Sequence, residues 1–114
     1  MSWARIATPV PGSSLRAGDA ALTAALALHS VAMNGGVFHA LGVLSEYERS
    51  AACAGFRYYG LDDIAAVIEA AAAEDRTDES GARVDREYGD LDVEAILDAR
   101  FRADFAARRD HYAP

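Results

Sequence analysis

Along most of the chain apolar residues recur every three or four positions, the period of a helix with one buried face, and no stretch alternates apolar and polar residues as a strand does. Leu22, Leu26, His29 and Met33 follow one another at spacings of four, three and four, so they share one face of a first helix that Asp19 is placed to cap. Asn34-Gly35-Gly36 ends that pattern. Asparagine and glycine tolerate the left-handed backbone that closes a helix, so the triplet predicts a stop or sharp corner, with a short helix from Val37 to Leu44 after it.

Ser45 and Glu48 have the spacing of a capping box and predict the start of a second long helix, with Tyr47, Ala51, Ala54 and Tyr58 in one stripe, Ala52, Phe56 and Tyr59 in the next, and Gly60 as its C-cap. Leu61 and Asp62 then read as staple and cap of a helix whose Ile64, Val67, Ile68, Ala71 and Ala72 form the cleanest apolar stripe in the chain. Asp75 to Asp90 shows no sustained period. An unstructured connection of that length is uncommon in a compact domain, so a short helix around Ala82 to Tyr88 is expected there, with Val84 and Tyr88 facing inward. The last helix runs from about Asp92 to Arg109 with Val93, Ile96, Leu97, Phe101 and Phe105 as its buried edge, and Asp98–Arg102 and Asp104–Arg108 spaced to pair on its exposed side.

Before the first helix, Pro9, Pro11, Gly12 and Gly18 describe an extended arm over residues 1–18, whose Trp3, Ile6 and Val10 are available to pack onto the helices. The expected architecture is all-α: a compact single-domain bundle of about five helices over residues 19–114, preceded by that arm. With 114 residues the chain is long enough for one core without disulfides or metal, although alanine supplies much of its apolar content and the core should be thin. No apolar run approaches the ~20 residues of a membrane span, no secretory leader is apparent, and the single cysteine, Cys53, has no partner for an intramolecular disulfide. A soluble cytoplasmic protein is the expectation.

The formal net charge of −7 disfavours direct binding to nucleic acid, which relies on lysine and arginine to displace counterions. Recognisable catalytic chemistry is lacking. His29, His39 and His111 are scattered, so no metal site is expected, and no serine sits in a glycine-flanked nucleophile elbow. His29 falls on an apolar face, as a core histidine bonded to a neighbour would. Cys53 has Arg49 and Arg57 four residues to either side, which would activate the thiol if all three shared an open face; a packed, inert thiol is the simpler expectation. Asn34-Gly35-Gly36 lacks the lysine and hydroxyl residue of a phosphate-binding loop, leaving it as a helix end or as the anchor of a binding corner. No cofactor is expected.

Charge placement is the most distinctive feature. Asp62 to Asp98 holds thirteen of the eighteen acids against Arg76, Arg83 and Arg86, a net charge near −10, while the rest of the chain is slightly positive. Such a stretch is either a solvated face or a surface that competes with DNA for a basic protein.

Met33-Asn34-Gly35-Gly36-Val37, then Tyr59-Gly60-Leu61, an acidic helix with an alanine-rich end, and Asp85-Arg86-Glu87-Tyr88 before a final amphipathic helix together resemble the C-terminal-domain family of bacterial DNA-mimic proteins. The resemblance spans roughly Asp19 to Arg109 and rests mainly on Asn34, Gly35 and Gly36; Val37, His39, Ala40 and Leu41 stand where the family usually has phenylalanine, glutamine and aromatic residues. It implies an acidic, helical, often dimeric protein that presents carboxylates to a DNA-binding partner. Duplex DNA carries about one charge per 1.7 Å of axis, whereas acids four apart on a helix supply one per ~6 Å, so mimicry would need several elements on one surface, doubled by a homodimer. Asp62, Asp63, Glu69, Glu74, Asp92, Glu94 and Asp98 are the candidates for that surface, with no membrane role and no direct nucleic-acid contact. The same acids would suit an immunity or antitoxin-like inhibitor of a basic toxin. A third reading is an enzyme or small-ligand domain in which His29, Asn34, His39, Tyr58 and Tyr59 converge on a pocket.

Overall fold

A computed structural model describes residues 16–113, and every regular element among them is helical. The six α-helices are α1 (Ala17–Gly35), α2 (Val37–Val43), α3 (Glu46–Tyr58), α4 (Asp62–Ala72), α5 (Asp78–Asp90) and α6 (Val93–Ala107), with a 3₁₀ turn at Arg109–His111. Five of them run eleven residues or more and α2 is a seven-residue connector, so the expected all-α, single-domain bundle is what forms. No helix among the described residues is long and apolar enough to cross a membrane.

The first helix begins at Ala17, three residues before the start that a cap at Asp19 would give, with Gly18 inside it. Gly18 is there because the C-terminal segment lies on it: a Cβ at this position would stand 2.4 Å from the Tyr112 ring. Asp19 does not cap the helix and instead accepts a hydrogen bond from the Ala113 amide at 2.6 Å. Trp3, Ile6 and Val10 of the expected arm lie outside the described residues. At its other end α1 runs through Asn34 and Gly35 and breaks only at Gly36, whose φ of 95° and ψ of 168° suit glycine alone.

Ser45 and Glu48 close the capping box anticipated for α3, with Glu48 N donating to Ser45 Oγ at 3.1 Å and Ser45 N donating to Glu48 Oε1 at 2.8 Å. Asp62 is the first residue of α4 rather than its cap, and with Asp63 it places two carboxylates at the positive end of the helix dipole. The α4 stripe buries Ile64, Ala65, Ile68 and Ala71; Val67 is half-buried and Ala72 exposed. The fifth helix starts four residues earlier than expected, because Thr77 and Ser80 form a reciprocal cap at 3.0 and 2.9 Å. Val84 and Tyr88 point inward as anticipated, at 2% and 4% exposure.

The core is continuous through Leu28, Leu41, Phe56, Leu61, Ile64, Ile68 and Leu97. Small residues let α1 and α3 approach closely: Ala21, Ala25 and Ala52 are buried, and a Cβ on Gly55 would be 2.4 Å from the Ala21 carbonyl oxygen. The last helix is held less fully. Only Val93 and Leu97 are buried along it, while Ile96, Phe101 and Phe105 remain half-buried, so the expected five-residue buried edge is wider than the surface the bundle offers it.

Candidate acidic interaction face

The acids are on the surface. Of the thirteen carboxylates from Asp62 to Asp98, every one but Glu74 is exposed. Several are neutralised locally. Glu69 accepts two hydrogen bonds from Arg57 of α3, at 2.8 and 2.5 Å, which hold its carboxyl below its ordinary pKa. Arg83 pairs with Glu74 and reaches Glu87 at 3.1 Å, and Arg102 meets Asp98 at 2.9 Å. Asp62, Asp63, Asp75, Asp78, Glu79, Asp85, Asp90, Asp92 and Glu94 have no arginine partner among the described residues.

The seven acids singled out from the sequence therefore do not form one sheet of charge. Glu69 lines a groove between α3 and α4 that also holds Arg49, Ser50 and Cys53, and Glu74 sits beyond the end of α4 against Arg83. Asp62 and Asp63 stand at the start of α4. Asp92, Glu94 and Asp98 are the ones brought together. They edge a groove of about 550 Å³ between α1 and α6, whose apolar lining is Leu22, Leu26, Ala95, Leu97 and Phe101. Asp92 holds the left-handed conformation, φ 50°, that turns the chain from α5 into α6 and starts this edge. The pattern signal for the groove was Leu22 and Leu26 on one face of α1, but their distance from α6 is set by tertiary packing.

His29 follows Leu26 by one turn on α1. Its Nδ1 lies 2.8 Å from the Tyr88 hydroxyl, the core contact expected of it. Its Nε2 is buried without a hydrogen-bond partner among the described residues, 4.0 Å from the Glu94 carboxylate. Burial lowers the pKa of His29 and the nearby Glu94 opposes part of that shift, so the ring favours the neutral form.

The pocket imagined from His29, Asn34, His39, Tyr58 and Tyr59 does not assemble. Asn34 is exposed, and His39 is exposed against Gly35, where a Cβ would stand 2.5 Å from its ring. Tyr58 and Tyr59 belong to a separate polar cluster that fastens the C-terminal segment. The hydroxyls of Tyr58 and Tyr112 donate to Asp104 at 2.7 and 2.6 Å, His111 Nδ1 lies 2.7 Å from the Tyr58 hydroxyl, and the Tyr59 hydroxyl is 3.1 Å from the Gly18 carbonyl. Burial and the bond to Asp104 push Tyr58 up to about 12. Burial alone would raise Asp104, but hydrogen bonds from Tyr112, Tyr58 and Arg108 outweigh it and leave the carboxyl below its ordinary value.

Gly36 serves the packing of helices. Val37 N donates to Asp85 Oδ1 at 2.9 Å, and a Cβ on Gly36 would stand 2.8 Å from the other carboxylate oxygen. The corner thus lets an α5 side chain cap α2, a role for Asp85 that spacing along the chain does not reveal. Cys53 is buried, and burial with the nearby Glu69 raises its pKa against the smaller opposing pull of Arg57, so its thiol is not activated. Among the described residues no group of three or more histidine, cysteine, aspartate or glutamate side chains is placed to hold a metal ion. Comparison of the chain with protein-family models, curated proteins and solved structures found no match.

Proposed function

We propose that this chain is a non-enzymatic acidic interaction protein that binds and inhibits a basic partner protein. The observation that carries this reading is the segregation of exposed carboxylates: a net charge near −10 from Asp62 to Asp98, with nine of its thirteen acids lacking an arginine partner among the described residues. Uncompensated charge of one sign attracts the opposite sign over about a Debye length, accelerates encounter with a basic surface and repels nucleic acid. A DNA-binding regulator and a basic toxin both present such a surface. A DNA mimic would block the first, and an immunity-type inhibitor the second.

The test is capture from the native lysate with the tagged chain, at low and at high salt, beside a variant carrying Asp62→Arg, Asp63→Arg and Glu94→Arg. These three side chains are exposed and have no arginine partner among the described residues, so their reversal breaks no ion pair with arginine there. A basic protein retained at low salt, released at high salt and lost with the variant is the expected result. Displacement of that protein by duplex DNA identifies the mimic; indifference to DNA identifies the toxin inhibitor. Retention of nothing basic, or equal retention by the variant, overturns the reading.

A further inference from the structure

We propose that the groove between α1 and α6 is a docking site for a cationic amphipathic helix of the partner, whose apolar side chains fill the floor and whose arginine or lysine residues meet Asp92 and Glu94 and compete with Arg102 for Asp98. This rests on the acidic-partner reading and assigns it a place and a shape.

Part of the floor is apolar surface that nothing among the described residues covers. Leu26 is 42% exposed and stands outside the core, and Leu22 and Phe101 are half-buried against it. Covering Leu26 removes apolar area from water, which favours association. The spacing fixes what covers it. Leu22 and Leu26 are one turn apart on α1, Leu97 and Phe101 one turn apart on α6, and Glu94 and Asp98 one turn apart along the lip. From Glu94 to Phe101 the groove therefore runs for about two turns, or roughly 10 Å. That is the span of apolar anchors at i, i+4 and i+7 on a guest helix, and lip acids four residues apart meet guest cations four residues apart.

Two further observations select the occupant. The acidic lip lies on the α6 side, which demands a guest with cations flanking one edge of its apolar stripe. Asp92 and Glu94 on that lip have no arginine partner among the described residues, so a cation of the guest meets open carboxylates. A second copy of this chain is the poorer fit. It would bring a like-charged lip against this one, and the Arg102 and Arg108 side chains that could offset the repulsion are bonded to Asp98 and Asp104 of their own helix. Residues 1–15 offer one arginine, Arg5, against three lip acids.

The probe is a labelled synthetic peptide about four turns long, with leucines at i, i+4 and i+7 flanked by arginines, compared by fluorescence anisotropy with a scrambled peptide of identical composition that spreads its leucines around the helix. The patterned peptide is expected to bind the full chain about tenfold tighter than the scrambled one. Leu26→Asp should remove that difference. Leu26 is outside the core, and Ala95→Arg, which sets a competing cation on an exposed position of the groove, gives an independent second variant. Neutralising the lip with Asp92→Asn, Glu94→Gln and Asp98→Asn should weaken binding about tenfold and flatten its salt dependence, asparagine being at ease in the left-handed conformation of residue 92. If both peptides bind equally and neither groove variant matters, the groove is overturned while the acidic-partner reading stands. If neither peptide binds, the groove is likewise overturned, and the lysate capture decides the acidic-partner reading by itself.

Discussion

At the scale of single residues, environment decides between readings that spacing alone leaves equal. Cys53 has arginines four positions to either side, as the sequence displays, yet Arg49 is spent on the Leu41 carbonyl at 3.0 Å and Arg57 on Glu69, so neither activates the buried thiol. Those partners come from other helices, and intrahelical spacing carries no information about them. His29 was legible as a core histidine because it continues an apolar stripe; that its second nitrogen would go unpartnered was not. Its consequence is a pH dependence. The folded-state pKa lies below the ordinary 6.5, so as pH falls below that value the unfolded chain takes up a proton that the folded chain refuses. Stability is then full above about pH 6.5 and declines as pH falls toward the folded-state pKa. The urea midpoint of the wild type should drop between about pH 7.5 and pH 5.5. His29→Gln should flatten that slope, and a variant retaining the full slope would show that some other group sets it.

At the scale of elements, the capping box that announces α3 was read correctly from the chain, whereas the caps assigned to Asp19 and Asp62 and the starts of α1 and α5 were not. Ser45 and Glu48 located the start of α3, whereas α5 gained four residues because Thr77 and Ser80 cap it with two hydroxyls instead of the usual hydroxyl and carboxylate. The first helix was read short because Gly18 looks like a breaker until Tyr112 is seen resting on it. The Asn34-Gly35-Gly36 corner is the instructive case. Only Gly36 needs a glycine conformation, and the Asp85 carboxylate sits where a Cβ would go. The glycine thus supplies both the turn and the room for a cap on α2. Asp85→Ala removes the cap and should cost about 1 kcal/mol, in line with other N-terminal capping side chains. Gly36→Ala adds backbone strain of about 1–3 kcal/mol and displaces the same carboxylate. Since both changes strike one contact, the double variant should cost less than the sum of the singles. Denaturant midpoints of the four proteins check this, and strict additivity would show that the turn and the cap are independent.

At the scale of the whole molecule, the charge asymmetry was visible in the sequence, but its distribution over the surface was not. Arg57, Arg83, Arg102 and Arg108 pair at the surface with Glu69, Glu74, Glu87, Asp98 and Asp104, and what remains is a set of acids without an arginine partner among the described residues, on and between the three consecutive helices α4, α5 and α6. Two opposing salt effects follow. Screening weakens the exposed pairs, each worth about 0–1 kcal/mol, and it also relieves repulsion among the unpaired carboxylates. With nine acids lacking an arginine partner among the described residues in a stretch of net charge near −10, repulsion is the larger effect. Raising sodium chloride from about 0.02 to about 0.3 M, which shortens the Debye length from roughly 20 to roughly 6 Å, should therefore raise Tm. For a domain of this size each 1 kcal/mol of relief appears as about 4–8 °C. Asp62→Asn with Asp63→Asn removes part of that repulsion but also two carboxylates from the positive end of the α4 dipole, so its Tm at low salt reports the balance of the two. Its salt response is the cleaner measure. A smaller rise than the wild type's is expected, and a Tm that falls with salt in the wild type would mean that the ion pairs, not the open acids, dominate the electrostatics of the fold.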